Sequence, residues 1–110
     1  MNLPTSVRVG YRDFGVEEWD TRQATAAGRY GECDKMNAVL RIETAYGDNK
    51  AANTLIHEVL HACYDVAGIE DDDPEERTVT LLANTLAQVI RDNPDLVAYL
   101  TAALAPSQQA

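Results

Sequence analysis

Both histidines of this chain fall in one short segment, His57-Glu58-Val59-Leu60-His61. On a helix, imidazoles four positions apart lie one turn apart on the same face, so both can reach a single metal ion. This is the HExxH pattern, in which two nitrogen donors suit zinc and the intervening glutamate stands beside the metal, free to act as a base. It arises by chance in roughly a few chains per thousand of this length. The plain alternative is an exposed helical turn carrying unrelated polar residues.

The flanking residues supply a helix. Leu55, Ile56, Val59, Leu60, Cys63, Val66 and Ala67 recur at helical spacing, Asp48 can cap the start and Gly68 provides a left-handed stop. A helix is therefore expected over 49–67. Its wheel places His57, His61 and Tyr64 nearly opposite the apolar stripe, with Glu58 and Asp65 to one side. One face then holds the helix to the fold while the other presents ligands to a cleft.

A catalytic zinc takes three protein ligands and keeps one position open, so two histidines are incomplete. After His61, the nearby carboxylates are Asp65 and the run Glu70, Asp71, Asp72, Asp73, Glu75, Glu76, and the next acid is Asp92. Asp73 and Pro74 can open a second helix with an apolar face of Val79, Leu82, Leu86, Val89 and Ile90. Glu75 or Glu76 thus lies in its first turn, and about five extended residues span roughly 16 Å, enough to return toward the histidines. Asp73 and Glu76 also have the spacing of a capping box, in which the glutamate bonds only backbone. Cys33, in a polar turn, is a further candidate thiolate ligand.

The segments Thr54-Leu55-Ile56-His57-Glu58-Val59-Leu60-His61-Ala62, Glu75-Glu76-Arg77-Thr78-Val79 and Arg91-Asp92-Asn93-Pro94-Asp95-Leu96 resemble a very short gluzincin metallopeptidase of the kind encoded by phages and prophages. The resemblance covers about the last two thirds of the chain, and more loosely extends to the minimal zincin domains of phage-repressor-cleaving peptidases. It implies a glutamate on the next helix as third zinc ligand, and favours Glu76 over Glu75. It also implies a substrate strand beside the active helix, for which 38–43 is the placed stretch. Larger gluzincins carry an acid one turn after the third ligand, where this chain has Thr80, so the usual support for a zinc histidine lacks its ordinary source.

With 110 residues, 45% of them hydrophobic, the chain is expected to be one domain with little room for a separate substrate domain. Nine basic against eighteen acidic residues give a net charge of −9, which disfavours nucleic acid and suits a basic protein or peptide partner. No run approaches a membrane span, and the N-terminal residues lack a signal-peptide core, so a cytoplasmic location is expected, in a bacterial host if the chain is phage-encoded. Two cysteines make no disulfide framework. Cys63, on the apolar stripe, reads as buried packing.

Upstream, Val7, Val9 and Tyr11 alternate with Ser6, Arg8, Gly10 and Arg12 as in a half-buried strand. Two more extended stretches are expected around Tyr30 and over 38–43, separated by the turn Asp34-Lys35-Met36-Asn37. The segment from Val16 to Ala27 is open between a short helix and a loop. Asn93-Pro94 should start a third helix to about Leu104, with the acidic run from Glu70 to Asp73 a solvated loop and 105–110 a frayed tail. The expected fold is α+β: a small sheet, the HExxH helix and two helices behind it.

Zinc held by His57, His61 and Glu76 would polarise a peptide carbonyl and acidify water, with Glu58 accepting a proton and passing it to the leaving amine. Tyr64, Tyr99 and Arg77 are candidate donors to the developing oxyanion. The alternative keeps the zinc but leaves Glu58 idle, the domain being a zinc-stabilised module that docks on a host or phage protein.

Overall fold

Alternation of Val7 and Val9 with polar neighbours produces β1 (Ser6–Val9) in the computed structural model, which describes residues 2–69 and 73–105 and, at Asp73, the backbone alone. Gly10, at φ 59°, turns the chain into β2 (Arg12–Glu18), which pairs antiparallel with β1 so that Val7 faces Phe14. The segment from Val16 to Ala27 is strand, then helix. Glu17 and Glu18 finish β2, and Asp20 caps α1 (Thr21–Ala27) by accepting the Arg22 and Gln23 amides at 2.9 and 3.2 Å.

The turn between β3 (Gly31–Asp34) and β4 (Val39–Ile42) is held by the Asp34 carboxylate, which accepts the backbone and side-chain N–H groups of Asn37, each at 3.0 Å. β4 pairs antiparallel with β3 and parallel with β2, giving the mixed order β1-β2-β4-β3. The stretch 38–43 is therefore not the strand with a free edge for substrate. β4 is internal, with Leu40 and Ile42 fully buried, and β3 is the edge strand on that side. Alternation alone cannot rank strands by position, because pairing order is set by the crossover through α1.

α2 (Asp48–Ala67) lies across this sheet, touching β1, β3 and β4, and its Ala62 completes a core with Phe14 and Leu40. Leu55, Val59 and Val66 pack around that centre. Gly68 stops the helix at φ 74°, as expected, but Asp48 does not cap it: Gly47 is the N-cap, without a side-chain bond, and Asp48 is the first helical residue. There its carboxylate still lies at the positive end of the helix dipole. Arg12 of β2 grips the far end of the helix through Asp65 at 2.9 Å.

α3 (Asp73–Asp92) runs antiparallel to α2, since His61 meets Glu75 while Asn53 donates to Asn84 at 3.1 Å near the other end. With the sheet on one side and α3 on the other, the buried centre of α2 is Ala51, Thr54, Glu58 and Ala62. This corrects the wheel read from hydrophobicity: Glu58 lies at the middle of the covered face, and Cys63 is exposed. On α3, Val79 and Ala83 are buried, but Leu82, Leu86 and Ile90 stay half-open.

α4 (Pro94–Ala103) begins after Asn93, packs mainly on α3 and has no buried residue. Asn93 makes no side-chain cap bond to the helix and instead donates to the Val89 carbonyl at 2.9 Å. Of the expected acidic loop and frayed tail, Glu70–Asp72 and Pro106–Ala110 lie outside the described residues. Among the described residues, no helix is long and apolar enough to cross a membrane.

Candidate metal centre

The four-residue spacing of His57 and His61 stacks their rings on the side of α2 that faces α3, with centroids 5.0 Å apart. Because α3 returns antiparallel, its first turn arrives opposite those rings. Glu76 places one carboxylate oxygen 2.9 Å from His57 Nε2 and the other 2.7 Å from His61 Nε2. Donor atoms of the three residues all lie within 4.8 Å of one another, and the group could hold a metal ion. Two imidazole nitrogens and one carboxylate oxygen around a first-row ion at about 2.0–2.2 Å would sit about 3.4 Å apart in a tetrahedron, so the donors have the types and the rough spacing that zinc takes.

The capping-box alternative for Glu76 does not describe its contacts, because both carboxylate oxygens face imidazole nitrogen. Asp65 is committed to Arg12. Cys33 stands on β3, packed against the core, and lies outside the ligand group. Burial first, then the neighbouring carboxylate of Glu58, pushes its thiol up to about 12, which makes it an inert packing residue rather than a ready thiolate.

Glu75, one position earlier, turns to the other side. Its side chain is only 2% exposed, and its Oε2 lies 2.6 Å from His61 Nδ1. A carboxylate there can accept a proton carried on Nδ1, the arrangement that turns the Nε2 lone pair toward a metal among His57, His61 and Glu76. A carboxylate partner for a histidine of the group, expected one turn after Glu76 where Thr80 stands, is thus supplied by the residue before Glu76. Lys35, in the β3–β4 turn, lies 3.8 Å from the same oxygen, while Glu75 Oε1 is buried without a hydrogen-bond partner. Glu75 and Glu76 are therefore not alternatives for one role: adjacent residues on a helix point about 100° apart, so the two carboxylates reach different faces of the histidine pair.

Glu58 is 6% exposed, tucked where α2 crosses the edge strand β3. Gly31 makes the space: a Cβ at that position would stand 2.8 Å from Glu58 Oε2 and 2.6 Å from Thr54 Cγ2. Burial raises the Glu58 carboxyl to about 7; His61 opposes the shift and Glu76 adds to it. His57 is moved the opposite way, below its ordinary value, because burial disfavours its cation more than Glu76 favours it. The site therefore presents His57 as a neutral imidazole, as a metal requires, beside a carboxyl poised to take or give a proton near neutrality.

These groups open on a cleft lined by Arg29, Tyr30, Lys50, Asn53, Thr80 and Asn84 around His57, Glu58 and Glu76. Lys50 lies 4.0 Å over the Tyr30 ring, which in turn meets Tyr46 edge-on at 5.4 Å. Tyr64, Arg77 and Tyr99, the expected oxyanion donors, do not line it, and Tyr99 stands 68% exposed on α4. The polar groups lining the cleft come instead from Arg29 and Tyr30, on the loop before the edge strand, and from Lys50, which periodicity does not flag.

No family model, curated protein or solved structure matches the chain.

Proposed function

We propose that the chain is a zinc-dependent metallopeptidase in which His57, His61 and Glu76 hold the ion and Glu58 is the general base. The observation that carries this reading is the convergence of three ligand side chains with a separate, buried carboxylate beside them. Zinc bound there supplies Lewis acidity toward a peptide carbonyl and toward water. Glu58 takes a proton from the attacking water and later delivers it to the leaving amine, a role suited to a carboxyl raised to about 7. Glu75 holds His61 in the tautomer that exposes Nε2. The cleft between β3 and α3 would admit an extended peptide, and β3, an edge strand among the described residues, would offer backbone donors and acceptors to it.

The rival reading, a zinc-stabilised module with an idle Glu58, calls for a site closed by a fourth protein ligand. Among the described residues the ligand group has three members, which favours the enzyme. The deciding experiment is metal content by mass spectrometry on protein purified without added metal, for wild type, His61→Ala and Glu76→Ala. Near-stoichiometric zinc lost in both variants is expected, followed by peptide hydrolysis that disappears in Glu58→Gln. A wild type that carries no zinc and takes none up overturns the proposal.

A further inference from the structure

We infer that the chain is a homodimer joined through α3 and α4. The two helices leave Leu82 at 50%, Leu86 at 40%, Ile90 at 43%, Leu96 at 43%, Leu100 at 43% and Leu104 at 79% exposure. On α3, Leu82, Leu86 and Ile90 are spaced four apart; on α4 and its C-cap, Leu96, Leu100 and Leu104 are too, so each set forms one stripe. Summed over the two stripes, the six side chains expose on the order of 500 Å² of apolar surface. The molecule is drawn out to match, measuring 49 × 30 × 26 Å with a radius of gyration of 14.8 Å. A compact chain of this length has about 13 Å.

Area and charge both select a second copy as the occupant. Two such faces contribute about 1,000 Å² from the six leucine and isoleucine side chains of each copy, and neighbouring Val89, Val97 and Tyr99 bring the total toward the roughly 1,200 Å² at which stable interfaces begin. Of the net −9, residues 1–77 carry −8 (eight basic, sixteen acidic) and residues 78–110 carry −1 (Arg91 against Asp92 and Asp95). From Thr78 to Ile90 and from Val97 onward there is no Asp, Glu, Lys or Arg. Copies that repel over most of their surface can therefore meet here without opposing like charge. A charged partner would find nothing on these stripes to recognise. Two-fold pairing of the chain with a second copy presents the same apolar stripes to one another.

The test is the molar mass of the full chain by sedimentation equilibrium from about 1 to about 100 µM, the range over which modest dimers form. Wild type is expected at twice the 12.1 kDa chain mass. Leu86→Glu and Leu100→Glu are expected to be monomers with unchanged helical circular dichroism, whereas Leu81→Glu stays dimeric. Leu81 is also exposed, at 58%, but stands about 140° round α3 from Leu86. Leu104→Glu, at the most open position, repeats the test where folding of the single chain is least involved. A wild type that is monomeric even at the highest concentration overturns the inference. So does a dimer that survives Leu86→Glu, Leu100→Glu and Leu104→Glu alike.

Discussion

Replacing Glu58 with Gln should stabilise the metal-free protein, and increasingly so as pH rises. The carboxyl stands at about 7 in the fold against an ordinary 4.5, chiefly because burial disfavours its charge. The fold thus prefers the protonated form. The stability this contributes is fully present below about pH 4.5 and is lost as pH rises through about 7. Across that gap, at about 1.36 kcal/mol per pH unit, the full loss is about 3.4 kcal/mol, nearly complete by about pH 8. Glutamine fills the same space and cannot ionise. Urea unfolding in the presence of EDTA, on wild type and Glu58→Gln at about pH 5, 6, 7 and 8, reads the effect as a difference between the two proteins. His57 shifts with the opposite sign, but it is present in both and cancels. The advantage of Glu58→Gln should grow by about 2.5 kcal/mol between the lowest and the highest of these pH values. A difference that stays flat over that range refutes the placement of Glu58 in a desolvated pocket.

Glu75→Ala should weaken zinc affinity about 10- to 100-fold by freeing the His61 ring, while Glu75→Gln, which retains an acceptor oxygen, should recover most of it; competition with a chromophoric chelator measures both. Gly31→Ala should cost about 1–3 kcal/mol in urea unfolding, because the added methyl meets Thr54 at 2.6 Å and the Arg41 carbonyl at 3.2 Å; an unchanged or raised midpoint would sink the claim that Gly31 makes room for Glu58. At about pH 8 a thiol reagent should modify the exposed Cys63 rapidly and Cys33 only after denaturant is added, since the Cys33 thiol is pushed up to about 12; rapid titration of both without denaturant would contradict its packing.

Much of the local structure was legible from residue spacing. The HExxH helix, the left-handed stop at Gly68, the strand pair around the Asp34–Asn37 turn and the helix opening at Pro94 all depend on contacts within a few residues, and each stands where that chemistry places it. So does the arrival of an acidic first turn beside the histidines, which needs only a short connection and an antiparallel return. What spacing could not supply was which faces become covered. Glu58 is buried because the edge strand approaches it at a residue without a side chain, far away in sequence. β4 is internal and β3 an edge because a parallel crossover, not alternation, fixes strand order. Cys63 stays exposed on an apolar stripe, and the α3–α4 leucines stay open, because hydrophobic residues record only what would gain from burial. Periodicity fixes which side chains share a face, but burial and protonation depend on the elements that close over that face, and those come from the rest of the chain.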